Sequence, residues 1–304
     1  MVIDNDGLIP VDQTKLVITK PKDTAAGIPA VVSSTIHSLK KMGPIKTVKT
    51  LKMVNQKSGF DCPGCAWPDP EHRSSFEFCE NGAKAVADEA MKSNVNKTFF
   101  AKYTVKELSK KSDFWLNSQG RIAEPMYLKR GDTNYQPISW QNAFSIISAK
   151  LNSLESPNNA VFYTSGRTSN EAAFLYQAFV RMYGTNNLPD CSNMCHESSG
   201  KALEATIGIG KGTVTLEDFN HATTILVIGQ NPGTNHPRML TALRDAKMNG
   251  AQIIHINPLP ETGLVRFKHP QDYMKLKFNS TKLADYHIPI KIGGDAALFQ
   301  GINS

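Results

Sequence analysis

A chain of 304 residues, 40% hydrophobic and 20% charged, is long enough for one large or two ordinary domains with a substantial core. That composition excludes wholesale disorder, collagen-like repeats and disulfide miniproteins. No run approaches the roughly 18 apolar residues of a membrane helix, and MVIDNDGLIP lacks the basic-then-apolar order of an export signal, so the expected location is cytoplasmic.

The formal net charge of +7 is concentrated early, because residues 1–57 carry nine lysines against four aspartates. With no sustained periodicity, and no aromatic side chains among the lysines to stack on bases, this segment reads as a solvated basic leader that is partly ordered. No nucleic-acid partner is expected.

The next landmark is Asp61-Cys62-Pro63-Gly64-Cys65-Ala66-Trp67-Pro68-Asp69, followed by Cys79. Two thiolates separated by two residues can turn around one inorganic centre, and Pro-Gly between them favours the tight turn. The total of five cysteines is odd, which argues for metal or redox chemistry over a disulfide framework. Zinc would have to recruit Cys79 and His72. An iron–sulfur cluster would take Cys62, Cys65 and Cys79 and need a fourth donor, and Asp69 stands where a C-x2-C-x3-C run would place its third cysteine. Spacing leaves the two open; prolines after the pair disfavour a thioredoxin-like motif.

Further along, Ser139 caps an expected amphipathic helix bearing Ala143, Ile146, Ile147, Leu151 and Leu154. After the short apolar run Val161-Phe162-Tyr163, Thr168 and Glu171 make a capping-box pattern for a helix carrying Leu175, Tyr176, Phe179 and Tyr183, closed by Gly184. That aromatic stripe reads as core. Cys191 and Cys195 are four residues apart in Pro189-Asp190-Cys191-Ser192-Asn193-Met194-Cys195-His196-Glu197. Cys191 reads as a small inert hydrophobe, whereas Cys195 stands beside a proton acceptor, His196. Gly208-Ile209-Gly210-Lys211-Gly212 follows a helical stretch and reads as a turn.

Thr224–Ile228 is a β-branched strand of buried type running into Gly229-Gln230-Asn231-Pro232-Gly233-Thr234-Asn235. A helix opening at Pro237 and ending near Asn249-Gly250 leads to a second strand, Ile253–Ile256, so the pair should be parallel. Ligands bind such sheets at the carboxyl ends of the strands, where helix N-termini suit phosphate. The loop carries neither G-x-G-x-x-G nor Gly-Lys-Ser/Thr, which disfavours an ordinary dinucleotide site or a P-loop.

Phe60–Pro68, Thr164–Glu171, Asn193–Glu197 and Gly229–Arg238 together resemble the bacterial molybdopterin oxidoreductase alpha-subunit family, which is formate-dehydrogenase-like and belongs to the dimethyl sulfoxide reductase superfamily. The resemblance implies an α/β fold: an N-terminal iron–sulfur segment, then a doubly wound, mostly parallel sheet, cut off before the family's C-terminal barrel. In those terms residues 1–57 are the leader, 58–138 the iron–sulfur domain, and 139–304 an incomplete molybdopterin-binding domain. It implies a 4Fe-4S cluster and a molybdenum held by two molybdopterin guanine dinucleotides. Cys62, Cys65 and Cys79 match cluster positions, with Asp69 in place of a cysteine and Asn81 in place of a lysine between cluster and pterin. Cys195 matches the molybdenum ligand and His196 the adjacent acid/base. Gly229, Asn231, Gly233, Thr234, Asn257, Gly294 and Asp295 match cofactor-side loops. The implied partners are a small-molecule substrate such as formate and an electron-transfer subunit. The alternative is a truncated, inactive remnant, or a cluster- or zinc-binding module without catalysis.

Overall fold

A computed structural model describes residues 20–65, 67–189, 191–271 and 280–304. The first third holds β1 (Ala25–Ala26), α1 (Ile28–Met42), α2 (Pro44–Leu51), α3 (Glu80–Glu89), β2 (Asn94–Val95) and α4 (Lys97–Lys102). Then come α5 (Val105–Leu108), α6 (Asp113–Gln119), β3 (Arg121–Ile122), β4 (Met126–Tyr127), β5 (Gln136–Pro137), α7 (Trp140–Asn152), α8 (Asn170–Tyr183) and α9 (Cys191–Ile207). The last third holds β6 (Thr224–Ile228), α10 (Pro232–Asn235), α11 (Met239–Met248), β7 (Gln252–Ile256), α12 (Thr262–Val265), β8 (Phe267–Lys268), β9 (Tyr286–Ile288) and α13 (Asp295–Asn303).

These elements form two compact units that do not follow the expected linear division: residues 91–213 form one, and residues 20–90 join 214–304 in the other. The reason is long-range pairing. β1 lies parallel to β8, with Ala25 opposite Phe267, and Ala25, Ala26 and Trp67 pack on the core of Val227, Leu240, Leu243, Ile253, Leu264 and Leu283. The basic segment is therefore, from residue 20 onward, part of a folded unit. Its first 19 residues lie outside the described ones. Helix α1 begins with Pro29 in its first turn and stops at Gly43, whose φ of 77° favours glycine. The residues it buries are Ala30, Ser34, Ser38 and Met42, four apart on one face. Small and polar side chains on the packed stripe hide the helix from a hydrophobicity reading.

In the same unit β6, β7 and β9 form a parallel sheet in that order, Ile225 opposite Ile253 and His255 opposite His287. Parallel pairing is as expected, but among the described residues the sheet has three strands, short of a doubly wound sheet. β6 is an edge strand in which only Val227 is buried, contrary to the buried-strand expectation. The helix expected from Pro237 is α11, which starts at Met239 and reaches Asn249 as expected; a separate single turn, α10, precedes it.

In the other unit, Ser139 caps α7 by accepting from the Asn142 N–H. α8 starts one residue later than the capping-box pattern suggests. Ser169 is the cap, accepting from the Ala172 N–H, while the Thr168 hydroxyl lies 2.8 Å from that of Thr164. Gly184 closes α8 in the left-handed region, as expected. Phe162 packs edge-on against Tyr176, Phe179 and Tyr183. Leu175, expected in that core, is exposed. Residues 208–212 form an irregular turn after α9, as the sequence suggests.

Candidate functional site

The cysteine loop is organised by a residue with no sequence signature. Asn55 is buried and sits at φ 55°, a conformation that asparagine tolerates better than most residues. Its backbone closes the turn 53–60, with Asn55 N–H to Phe60 O at 2.7 Å. Its side-chain oxygen accepts from the Cys62 N–H at 2.7 Å, and its amide donates to the Glu77 carbonyl at 2.7 Å. One side chain thus fixes Cys62 and the approach to Cys79.

Cys79 is the N-cap of α3, and its sulfur accepts from the Gly82 N–H at 3.3 Å; the Cys62 sulfur accepts from the Gly64 N–H at 3.3 Å. Gly82 is where the sulfurs meet: a Cβ there would lie 2.8 Å from the Cys62 sulfur and 3.6 Å from that of Cys79. Burial raises the Cys79 thiol above its ordinary pKa, the Gly82 N–H opposes the rise, and Cys62 and Cys65 add to it. Thiols that disfavour each other's ionisation, with amides aimed at their sulfurs, suit a cationic centre that draws them all into the thiolate form. Among the described residues, no three His, Cys, Asp or Glu side chains converge closely enough to share a single metal ion. A cluster of several irons holds its thiolates farther apart than one ion does. His72, the fourth zinc donor considered, is exposed.

Asp69, expected as the fourth donor, is held by arginines. Its Oδ1 lies 2.7 Å from Arg238 Nη2, and its Oδ2 lies 3.5 Å from Arg73 Nη2. Arg238 also donates to Glu77 at 3.0 Å. Asn81 donates to the Thr234 carbonyl at 2.9 Å, and Trp67 packs edge-on against Phe219 at 5.6 Å and near His236 at 6.4 Å. The cysteine loop is therefore fastened to the loop after β6 at several points.

That loop lies at the carboxyl end of the parallel sheet. The Gly229 N–H donates to Ile256 O at 2.9 Å, and the Asn257 N–H to Ile288 O at 3.2 Å, which aligns the three strand ends. Gly229 (φ 60°) is exposed with open space where a Cβ would stand, and Thr234 is exposed. Asn231 caps α10, accepting from the Thr234 N–H, and donates to Glu261 at 2.8 Å. Asn257, buried, donates to Leu259 O at 2.8 Å and to Glu261 at 3.3 Å. Glu261, which sequence reading passes over, thus joins both asparagines, whose amide groups hold the loops in shape. Gly233 and Gly263 meet backbone to backbone, with a Cβ on Gly263 only 3.0 Å from the Gly233 Cα. Gly294 and Asp295 open α13, which follows β9 in the chain.

Cys195 and His196 lie on α9, in the other unit, and both are exposed. Adjacent residues on a helix project about 100° apart, so these two do not face each other. The side chain of Cys191 lies outside the described residues. No helix among the described residues is long and apolar enough to cross a membrane.

An uncharacterised oxidoreductase of Mycobacterium bovis is 56% identical over 298 residues, covering 98% of this chain and 38% of that protein. Protein YdeP of Escherichia coli is 51% identical over 280 residues, 91% of this chain and 37% of that protein. Formate dehydrogenase H of Escherichia coli is 27% identical over 187 residues, 60% of this chain and 24% of that protein. The chain thus spans well under half the length of these curated relatives. The sequence profile of the molybdopterin oxidoreductases matches residues 121–304, more than half of the chain, and the protein belongs to the molybdopterin oxidoreductase family.

Proposed function

We propose that the chain is the N-terminal part of a formate-dehydrogenase-like molybdopterin oxidoreductase. In this reading it passes electrons between a molybdenum centre on two guanine dinucleotides and a 4Fe-4S cluster. The observation that carries the reading is the fastening of a three-cysteine loop to the strand-end loop by Asn81–Thr234 and Arg238, within one unit. The bound groups would supply two-electron chemistry at molybdenum and one-electron steps at the cluster.

The chain's own residues have separate tasks. Cys62, Cys65 and Cys79 present soft thiolates, with the Gly64 and Gly82 amides stabilising their charge. Gly229, Gly233 and Thr234, with the turn at Gly294 and Asp295, receive the dinucleotide at the sheet end, while Asn231, Asn257 and Glu261 hold those loops in register. Asn81 bridges the two regions as a neutral hydrogen-bond donor. Cys195 offers the thiolate for molybdenum. His196, beside it on α9, would take the proton that a formate-type substrate gives up. An electron-transfer subunit would then take the electrons away.

Expression in a host that makes the molybdenum cofactor, followed by metal analysis, tests this. Iron and molybdenum together support the reading, and absence of molybdenum from a folded chain overturns its catalytic half. The second reading is a cluster-binding module without catalysis. Iron with broad absorbance near the violet, and no molybdenum, would establish that alternative.

A further inference from the structure

We propose that Asp69 is the counter-ion of Arg238 and not a cluster ligand, so that a cluster here is held by three thiolates and keeps one iron open to an external ligand. This rests on the iron–sulfur reading of Cys62, Cys65 and Cys79. The sequence position of Asp69, four residues after Cys65, invites the opposite assignment. The surroundings decide against it.

Asp69 Oδ1 is 2.7 Å from Arg238 Nη2, and the two side chains are only 15% and 12% exposed. Arg73 Nη2 approaches the other oxygen at 3.5 Å, and Arg73 Nη1 donates to Asn55 O at 2.9 Å, which ties this pair to the residue that positions Cys62. Glu77, the remaining carboxylate on Arg238, is itself engaged: its Oε2 accepts from the Ser74 N–H at 3.1 Å and hydroxyl at 2.9 Å. Turning Asp69 toward iron would leave Arg238 largely buried with half its counter-charge, and a buried charge stripped of a partner is strongly unfavourable. Pro70 follows Asp69 and biases its backbone to extended conformations, which limits any swing. A carboxylate is also a harder donor than the thiolates beside it and competes poorly for this site. Asp69 is thus a positioning residue, setting the cysteine loop against the loop that carries Thr234.

The test uses the 304-residue chain, Asp69→Asn, Arg238→Gln and the double variant. Without iron, each single substitution should lower the melting temperature, and the double should fall no further than the worse single. After anaerobic loading with equal ferrous and ferric iron and with sulfide, then reduction with dithionite, Asp69→Asn should keep the wild-type iron content per chain and the EPR line shape of the reduced cluster. Cyanide added to the loaded wild-type chain should shift that signal. Additive melting losses, a missing iron in Asp69→Asn, or a wild-type signal indifferent to cyanide would each overturn the proposal. A wild-type chain that takes up no iron refutes the iron–sulfur reading instead, while the melting comparison still decides the counter-ion role.

Discussion

Asn55 shows how much of the site depends on one side chain far from any motif. Its amide serves Cys62 and the Glu77 carbonyl at 2.7 Å each, and its backbone occupies the left-handed region. Asn55→Ala removes two buried hydrogen bonds, each worth about 1 kcal/mol, and adds backbone strain of similar size. We expect a loss of about 2–3 kcal/mol in chemical denaturation of the iron-free chain, with weaker iron uptake. Gly82→Ala should behave differently. Alanine favours a helix over glycine by about 0.5–1 kcal/mol, so the iron-free chain should be close to wild type in stability. The new Cβ would crowd the Cys62 sulfur, and iron bound per chain should fall several-fold. Neither Asn55 nor Arg238 is legible in the sequence, because their partners lie across turns or, for Arg238, at the other end of the chain. The CxxC spacing and the 229–235 loop stand out in the sequence because their residues are close neighbours in the chain, whereas the ion pair of Asp69 with Arg238 does not.

Among the elements, the parallel pair β6–β7, the end of α11 near Asn249 and the caps Ser139 and Gly184 were readable from periodicity and turn chemistry. The burial of β6 was not, since its exposure depends on its being the edge of the sheet. Helix α1 was missed because Ser34 and Ser38 occupy its packed face. The pairing of β7 with β9 sets His255 against His287, Nδ1 to Nδ1 at 3.2 Å. Burial, with His287 adding to it, lowers the His255 pKa to about 4. His255 is therefore neutral in the folded chain, while in the unfolded chain it takes up a proton below about pH 6.5. The sign follows: this group leaves stability unaffected above pH 6.5 and lowers it as the pH falls from 6.5 to 4. Denaturation of His255→Gln at pH 7 and pH 4.5 should show a smaller acid loss than wild type.

At the scale of the whole molecule, residues 20–90 and 214–304 form one unit that neither could build alone, since Ala25, Ala26 and Trp67 complete the core around Leu240 and Ile253. Residues 214–304 expressed without 20–90 should lack dispersed methyl signals in an NMR spectrum and bind a hydrophobic dye, and adding a peptide of residues 20–90 should reverse both. The family was legible at this scale because its motifs are local in sequence; the division into units was not, because it depends on which distant strands pair. The pairing of β1 with β8 also orders events on the ribosome. The three cysteines of the first loop emerge long before Phe267, and at about 5–20 residues per second the wait is on the order of tens of seconds. During translation the cysteine loop waits for its fastenings to Thr234 and Arg238, so on the reading proposed above a cluster would reach its final setting only on the finished unit.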